Sequence, residues 1–273
     1  YDNLELKTKV VNTLFSQIDK NINDAEFIRT CIYALNYAEL TNADIIDSLI
    51  KKLGDKKNQY IRSAIYSLLL KHNFYENYVD YLIEGYELLD EKNVADRNGP
   101  QLMDESWNLK ESIKKIKSTE GIKKLLKYIS GDNHLSYSYS SNEIIKEITN
   151  NAISSYSNDK TLFESVLEWF LKEIKTYSTE KLKFTLEFFS QTGTRNQAFY
   201  KVWDMPEDIN RNKLYALSSL ATEENLDFII NKYNSHDITN ENLGWFIHNL
   251  QWTRNENYSY FEALIKSKTA YQL

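Results

Sequence analysis

Ile28-Arg29-Thr30-Cys31-Ile32-Tyr33-Ala34-Leu35 returns 33 positions later as Ile61-Arg62-Ser63-Ala64-Ile65-Tyr66-Ser67-Leu68. The shared phrase is I-R-x-x-I-Y-x-L. On a helix its two isoleucines and its leucine fall at i, i+4 and i+7, which makes one apolar stripe. The arginine lies off that stripe, near the start of its helix. A phrase of this kind describes a structural unit used more than once. Its surroundings decide what kind of unit.

Reading outward, Asp24 is placed to cap the first copy's helix. Thr41 is placed to cap the next helix, with Asp44 at the third position. That helix carries Ile45, Ile46, Leu49, Ile50 and Leu53 as its stripe and stops at Gly54, a residue suited to a left-handed turn. Asp55 to Asn58 form a tight polar connection, and the second copy follows at once. Tyr78, Val79, Leu82, Ile83, Tyr86 and Leu89 line one side of a fifth helix, as Leu6, Val10, Val11, Leu14, Phe15 and Ile18 line the first. Helix, short turn, helix at a period of 33 is the pattern of a helical solenoid.

Glu91 to Pro100 (EKNVADRNGP) is the clearest break, ending in an Asn-Gly-Pro stop. Helical periodicity then covers 104–117, 119–129, 142–155 and 160–177, with a polar loop or short hairpin over 131–141. Ser178-Thr179-Glu180 opens another helix, which Thr192-Gly193-Thr194 ends, and a shorter segment over Phe199–Trp203 precedes Pro206. Leu214-Tyr215-Ala216-Leu217 echoes Ile32-Tyr33-Ala34-Leu35, and Thr222 to Asn225 cap the helix after it. Gln191 to Asn196 return loosely as Leu250 to Asn255. These elements predict an all-α, right-handed α-solenoid of roughly 12–14 antiparallel helices, one set lining a concave face. Residues 1–91 form the regular repeats and 92–273 continue them in divergent form, with a break at 92–103.

Composition agrees. Two prolines and seven glycines leave little turn chemistry for many short strands. The apolar runs are far shorter than the ~20 residues that span a bilayer, so no membrane is predicted. The N-terminus lacks the form of a signal peptide. Cys31 is the one cysteine, so no intrachain disulfide forms, and a reducing, cytoplasmic setting is expected. Its counterpart in the second copy is Ala64, which marks it as a small core residue. A net charge of −6 argues against general nucleic-acid binding. The chain begins at Tyr1, which reads as a segment of a longer protein.

Residues Ser48 to Leu70 resemble HEAT-type helical repeats. An apolar helix ends Leu53-Gly54-Asp55, and a few polar residues lead to Ile61-Arg62 and a helix containing Ala64. In that family the turn Asp and the Arg stabilise neighbouring inter-helix turns, and Asp55 and Arg62 occupy those positions. The first copy matches at Arg29 and Ala34 but has Ile22 where the Asp would stand. The resemblance covers 24–89 and implies a fold, not a function. The whole is also similar to the helical arrays that follow the nucleotide-binding core of bacterial NACHT or STAND signalling ATPases, which implies a sensor module. No P-loop lies in these residues.

No catalytic motif stands out. His72, His134, His236 and His248 have no zinc spacing, and no nucleophile elbow, dinucleotide fingerprint or calcium loop is present. No metal or cofactor is predicted. Lys110, Lys114, Lys115, Lys117, Lys123, Lys124 and Lys127 form the one basic concentration, a solvated outer face or else a phosphate contact through Lys114, Lys117 and Lys124. Aromatics crowd the C-terminal part, where Trp245, Trp252, Tyr258 and Tyr260 read as a binding patch or as packing for a further repeat. The leading expectation is a non-catalytic scaffold for a protein or peptide partner. The rival is a HEAT-like nucleic-acid enzyme such as a glycosylase, and the third reading is a structural spacer. Arg62→Ala is expected to lower stability by about 1–3 kcal/mol if Arg62 holds Asp55 or turn carbonyls.

Overall fold

A computed structural model describes residues 4–53, 58–92, 100–131, 141–176, 179–252, 258–259 and 262–263, with all their side chains except 89–92, 100–104, 141, 179–180 and 252. Asp55, Tyr260, the 132–140 segment and the second Thr-Arg-Asn echo lie outside them. Among the described residues the chain is all-α. The first helices are α1 (Leu4–Lys20), α2 (Ala25–Tyr37), α3 (Ala43–Leu53), α4 (Gln59–Lys71), α5 (Val79–Lys92), α6 (Pro100–Lys114) and α7 (Thr119–Ser130). A 3-10 turn at Tyr75–Tyr78 precedes α5. Then follow α8 (Ser141–Ser155), α9 (Leu162–Thr176), α10 (Thr179–Gln191), α11 (Arg195–Trp203), α12 (Arg211–Leu220), α13 (Glu223–Asn234) and α14 (Asn240–Trp252). They fall into two compact units, Tyr1–Ile148 and Thr149–Leu273.

In the first unit α4 is the central helix. It packs on α2, α3 and α6, while α1 lies on α2, and α5 on α6 and α7. Ile61 to Leu69 are all buried save Ser67: apart from Arg62 the stretch is apolar, aromatic or small on every side, and its neighbours cover it. The repeated phrase therefore marks a stack of α2, α4 and α6, flanked by their partners. The bonds between helices keep its period. Lys52 donates to Asp19, 33 residues away. Tyr78 Oη donates to Asp47 Oδ1 at 2.5 Å over 31 residues, and His72 Nε2 meets Asn36 Oδ1 at 3.1 Å over 36. Past the Glu91–Pro100 break the same kind of bond spans more chain. Arg62 to Glu105 covers 43 residues, Ser118 to Glu76 covers 42 and Lys124 to Asp80 covers 44.

The second unit repeats the plan with α12 at its centre, against α9, α11 and α14. Leu214 to Ala221 are all buried. Ser218 Oγ lies 2.6 Å from Leu214 O and 3.0 Å from Phe246 O of α14, 28 residues on, so its one proton serves one of the two carbonyls at a time. The Leu-Tyr-Ala-Leu echo therefore falls on a helix that does the work α4 does in the first unit. Phe163, Phe170 and Phe188 each meet Phe189 edge-on at 5.7–5.8 Å and fill the α9–α10 layer.

Several local expectations are met and two are corrected. Asp24 Oδ1 accepts the Phe27 N–H at 3.0 Å. Before α3, however, Asn42 rather than Thr41 is the cap, accepting the Ile45 N–H at 2.9 Å. Thr41 Oγ1 instead donates back to Leu35 O at the end of α2. Pro100 does not stop a helix but opens α6, where its missing N–H costs nothing and its fixed φ suits the first turn. The apolar stripe of α1 is covered only at its end: Ile18 is buried, whereas Leu6 and Val10 are exposed.

Helix ends share one turn. After α10 the Thr194 N–H donates to Phe189 O at 2.9 Å and the Gly193 N–H to Ser190 O, with Gly193 at φ +68. The same left-handed position falls on Glu39, Asn73 and His236 after α2, α4 and α13. Such a φ costs an ordinary side chain about 1–2 kcal/mol, part of which glycine returns through its freer unfolded chain. Glu39 is exposed, so Glu39→Gly is expected to stabilise the protein by up to about 1 kcal/mol. A urea midpoint that does not rise would contradict the strain at this turn.

Candidate functional site

The arginines of the repeated phrase each reach the next helix of the stack. Arg29, half-buried, sets its guanidinium over the rings of Tyr33 (5.3 Å) and Tyr60 of α4 (5.8 Å). Arg62 is only 2% exposed and donates from Nε to Glu105 Oε1 of α6 at 2.6 Å; Glu105 itself is fully buried. Arg195 closes the C-terminus of α12, giving Nε to Leu220 O at 3.1 Å and Nη2 to Ser219 O at 3.0 Å. One residue type near the start of a helix thus reaches a neighbouring helix, with a different partner each time; Arg62 meets Glu105 of α6 rather than a turn carbonyl.

The Arg62 site is the most polar point of the interior. Tyr66 and Tyr81 lie with ring centroids 5.6 Å apart, tilted at 50°, beside the ion pair. Burial first, and then each other's and Glu105's charge, push the Tyr66 phenol far above its usual range; burial does the same to Tyr81. Arg62 Nη1 and Nη2 and both tyrosine hydroxyls are buried without a hydrogen-bond partner among the described residues. The site is closed to solvent, so its chemistry is that of a structural lock. A second buried polar group lies in the other unit. Glu173 accepts from Trp169 Nε1 at 3.0 Å and from Thr176 Oγ1 at 3.2 Å, and burial lowers the pKa of nearby Lys181.

Two lysines of the basic concentration, Lys114 and Lys124, are paired with carboxylates. Lys114 donates to Glu143 at 2.7 Å and to Glu111 at 2.9 Å, and the Glu143 bond holds its pKa above the usual lysine value. Lys124 donates to Asp80 at 2.6 Å, with the same effect. Around Lys117 the backbone is committed as well: its N–H donates to Glu76 Oε1 at 2.5 Å, and Ser118 Oγ to Glu76 Oε2, so Glu76 closes the start of α7. A phosphate at Lys114 or Lys124 would have to displace a carboxylate.

Of the C-terminal aromatics, Trp245 on α14 is half-buried and lies edge-on to His248 at 5.8 Å. The guanidinium of Arg211, at the start of α12, sits over it at 4.2 Å. Trp252 is the last residue of α14 and Tyr258 is half-buried. A related arrangement on α11 and α13 had no signal in the sequence beyond the abundance of aromatics. There Phe228 is met edge-on by Tyr200 at 5.2 Å and Trp203 at 5.0 Å, with Lys232 Nζ 5.8 Å from both the Trp203 and Phe228 rings. All four of these side chains are half-buried.

No group of three metal-ligating side chains is found among the described residues, and none of their helices is long and apolar enough to cross a membrane. No protein family, curated protein or solved structure matches the chain.

Proposed function

We propose that the chain is a non-catalytic recognition scaffold for a protein or peptide, the role that helical sensor arrays play in signalling ATPases. One observation carries the reading: Trp245 is left half-buried and is held in place by Arg211 at 4.2 Å. A tryptophan fixed by a cation offers a large contact area that loses little entropy on binding. The pairing of Lys114 and Lys124 with carboxylates weighs against the nucleic-acid reading, since counterion release needs cations free to meet phosphate.

The test is a displayed random-peptide library panned on the whole chain. Enriched peptides should lose at least ten-fold in affinity to Trp245→Ala while far-UV circular dichroism stays unchanged. No enrichment, or binding indifferent to Trp245, overturns the reading.

A further inference from the structure

A cleft of about 270 Å³ opens in the second unit between α9, the end of α11 and the start of α12. Its floor is apolar. Ile174, Val202 and Ala216 are buried there, and Leu171 and Met205 are half-buried. Lys213 stands at its mouth and donates from Nζ to Met205 O at 2.8 Å and to Glu207 O at 3.0 Å. An ammonium has three N–H donors, and two here go to neutral carbonyls. Among the described residues no carboxylate pairs with Lys213, unlike Lys114 and Lys124. Lys175 and Glu207 also line the cleft, so their charges offset each other and Lys213 leaves the mouth positive.

We propose that this cleft takes the C-terminal residue of a peptide, with a large aliphatic side chain on the floor and the terminal carboxylate on Lys213. Size supports the end of a chain over a whole small molecule, because sites for the latter run to roughly 300–1,000 Å³. Charge supports a carboxylate, because a fixed ammonium with an uncommitted donor makes a short, charge-assisted bond to it. Capture of a terminal carboxylate is one of the recurring modes of peptide recognition. The inference rests on the reading of the chain as a recognition scaffold and names the chemistry of one partner.

The experiment is fluorescence polarisation on the whole chain with labelled hexapeptides ending in Leu as free acid, in Leu as amide, or in Glu as free acid. The Leu acid is expected to bind at least ten-fold tighter than the other two. Lys213→Met should erase the difference between acid and amide, and Lys213→Arg should keep it. Lys213 also holds the 205–207 backbone, so a second variant is needed that spares it. Leu171→Glu, at a half-exposed position, should weaken the Leu acid at least ten-fold with unchanged circular dichroism. Equal binding of acid and amide, or no binding of either, overturns the proposal. Competition by 4-methylpentanoate at the peptide's own affinity does so too, and assigns the cleft to a small free acid. Peptides selected through Trp245 separate the two ideas. If they bind and the C-terminal peptides do not, the cleft proposal falls and the scaffold reading stands.

Discussion

Glu105→Ala is expected to destabilise the protein by about 3–5 kcal/mol, the usual cost of stranding one charge of a buried pair. The reason is geometric. Arg62 is 2% exposed and, among the described residues, the one hydrogen bond of its guanidinium goes from Nε to Glu105 at 2.6 Å, so without Glu105 the buried guanidinium loses that partner. Arg62→Ala strands the carboxylate instead and should cost more than a partly buried turn contact would. The informative variant is the double one. Arg62→Met with Glu105→Leu removes both charges and the desolvation they carry, and such replacements are often neutral or stabilising by about 1–4 kcal/mol. A urea titration of the full chain, followed by circular dichroism, compares the three. If Glu105→Ala shifts the midpoint no more than an exposed substitution does, the pair is not the lock that joins α4 to α6.

The helices were largely legible in the sequence, and the partners between them were not. A stripe of period 3.6 and a capping residue are local signals, so α2 and α13 begin where Asp24 and Thr222 place them. Thr41 and Pro100 mislead for the same reason. Each is a fair cap or stop by type, and only the neighbouring helix decides which role it takes. Local pattern fails most plainly on α6. Glu105 is fully buried and Trp107, two residues on, is 60% exposed, the reverse of what hydropathy predicts. The cause lies 43 residues earlier, in Arg62, whose charge must be met where α4 and α6 touch. The partners of the basic cluster are hidden in the same way. Seven lysines look like a phosphate surface until Glu143 and Asp80, contributed by α8 and α5, are brought against two of them. Trp245 was singled out by the density of aromatics around it, while Arg211, which fixes it, lay about one repeat away.

Gly85→Ala is expected to cost about 1–3 kcal/mol, although alanine is the better helix former. Gly85 lies in α5, where a glycine weakens the helix by roughly 1 kcal/mol relative to alanine. Its place is explained by Tyr66 of α4. A Cβ at Gly85 would stand 1.9 Å from Tyr66 Oη and 2.7 Å from Tyr66 Cζ. The ring has no simple retreat, since Tyr66 is fully buried and packed against the Tyr81 ring at 5.6 Å. Interiors packed to crystal density turn such an overlap into backbone shift. Tyr66→Phe removes the nearer atom and with it a buried hydroxyl that has no hydrogen-bond partner, so alone it should be neutral or slightly stabilising. In the double variant the alanine should be tolerated better than in the wild-type background. The cycle of four proteins therefore predicts a coupling of at least about 1 kcal/mol in urea titrations. Strict additivity would mean that α5 already has room for the methyl group. The close approach of α4 and α5 would then not be what keeps glycine at position 85.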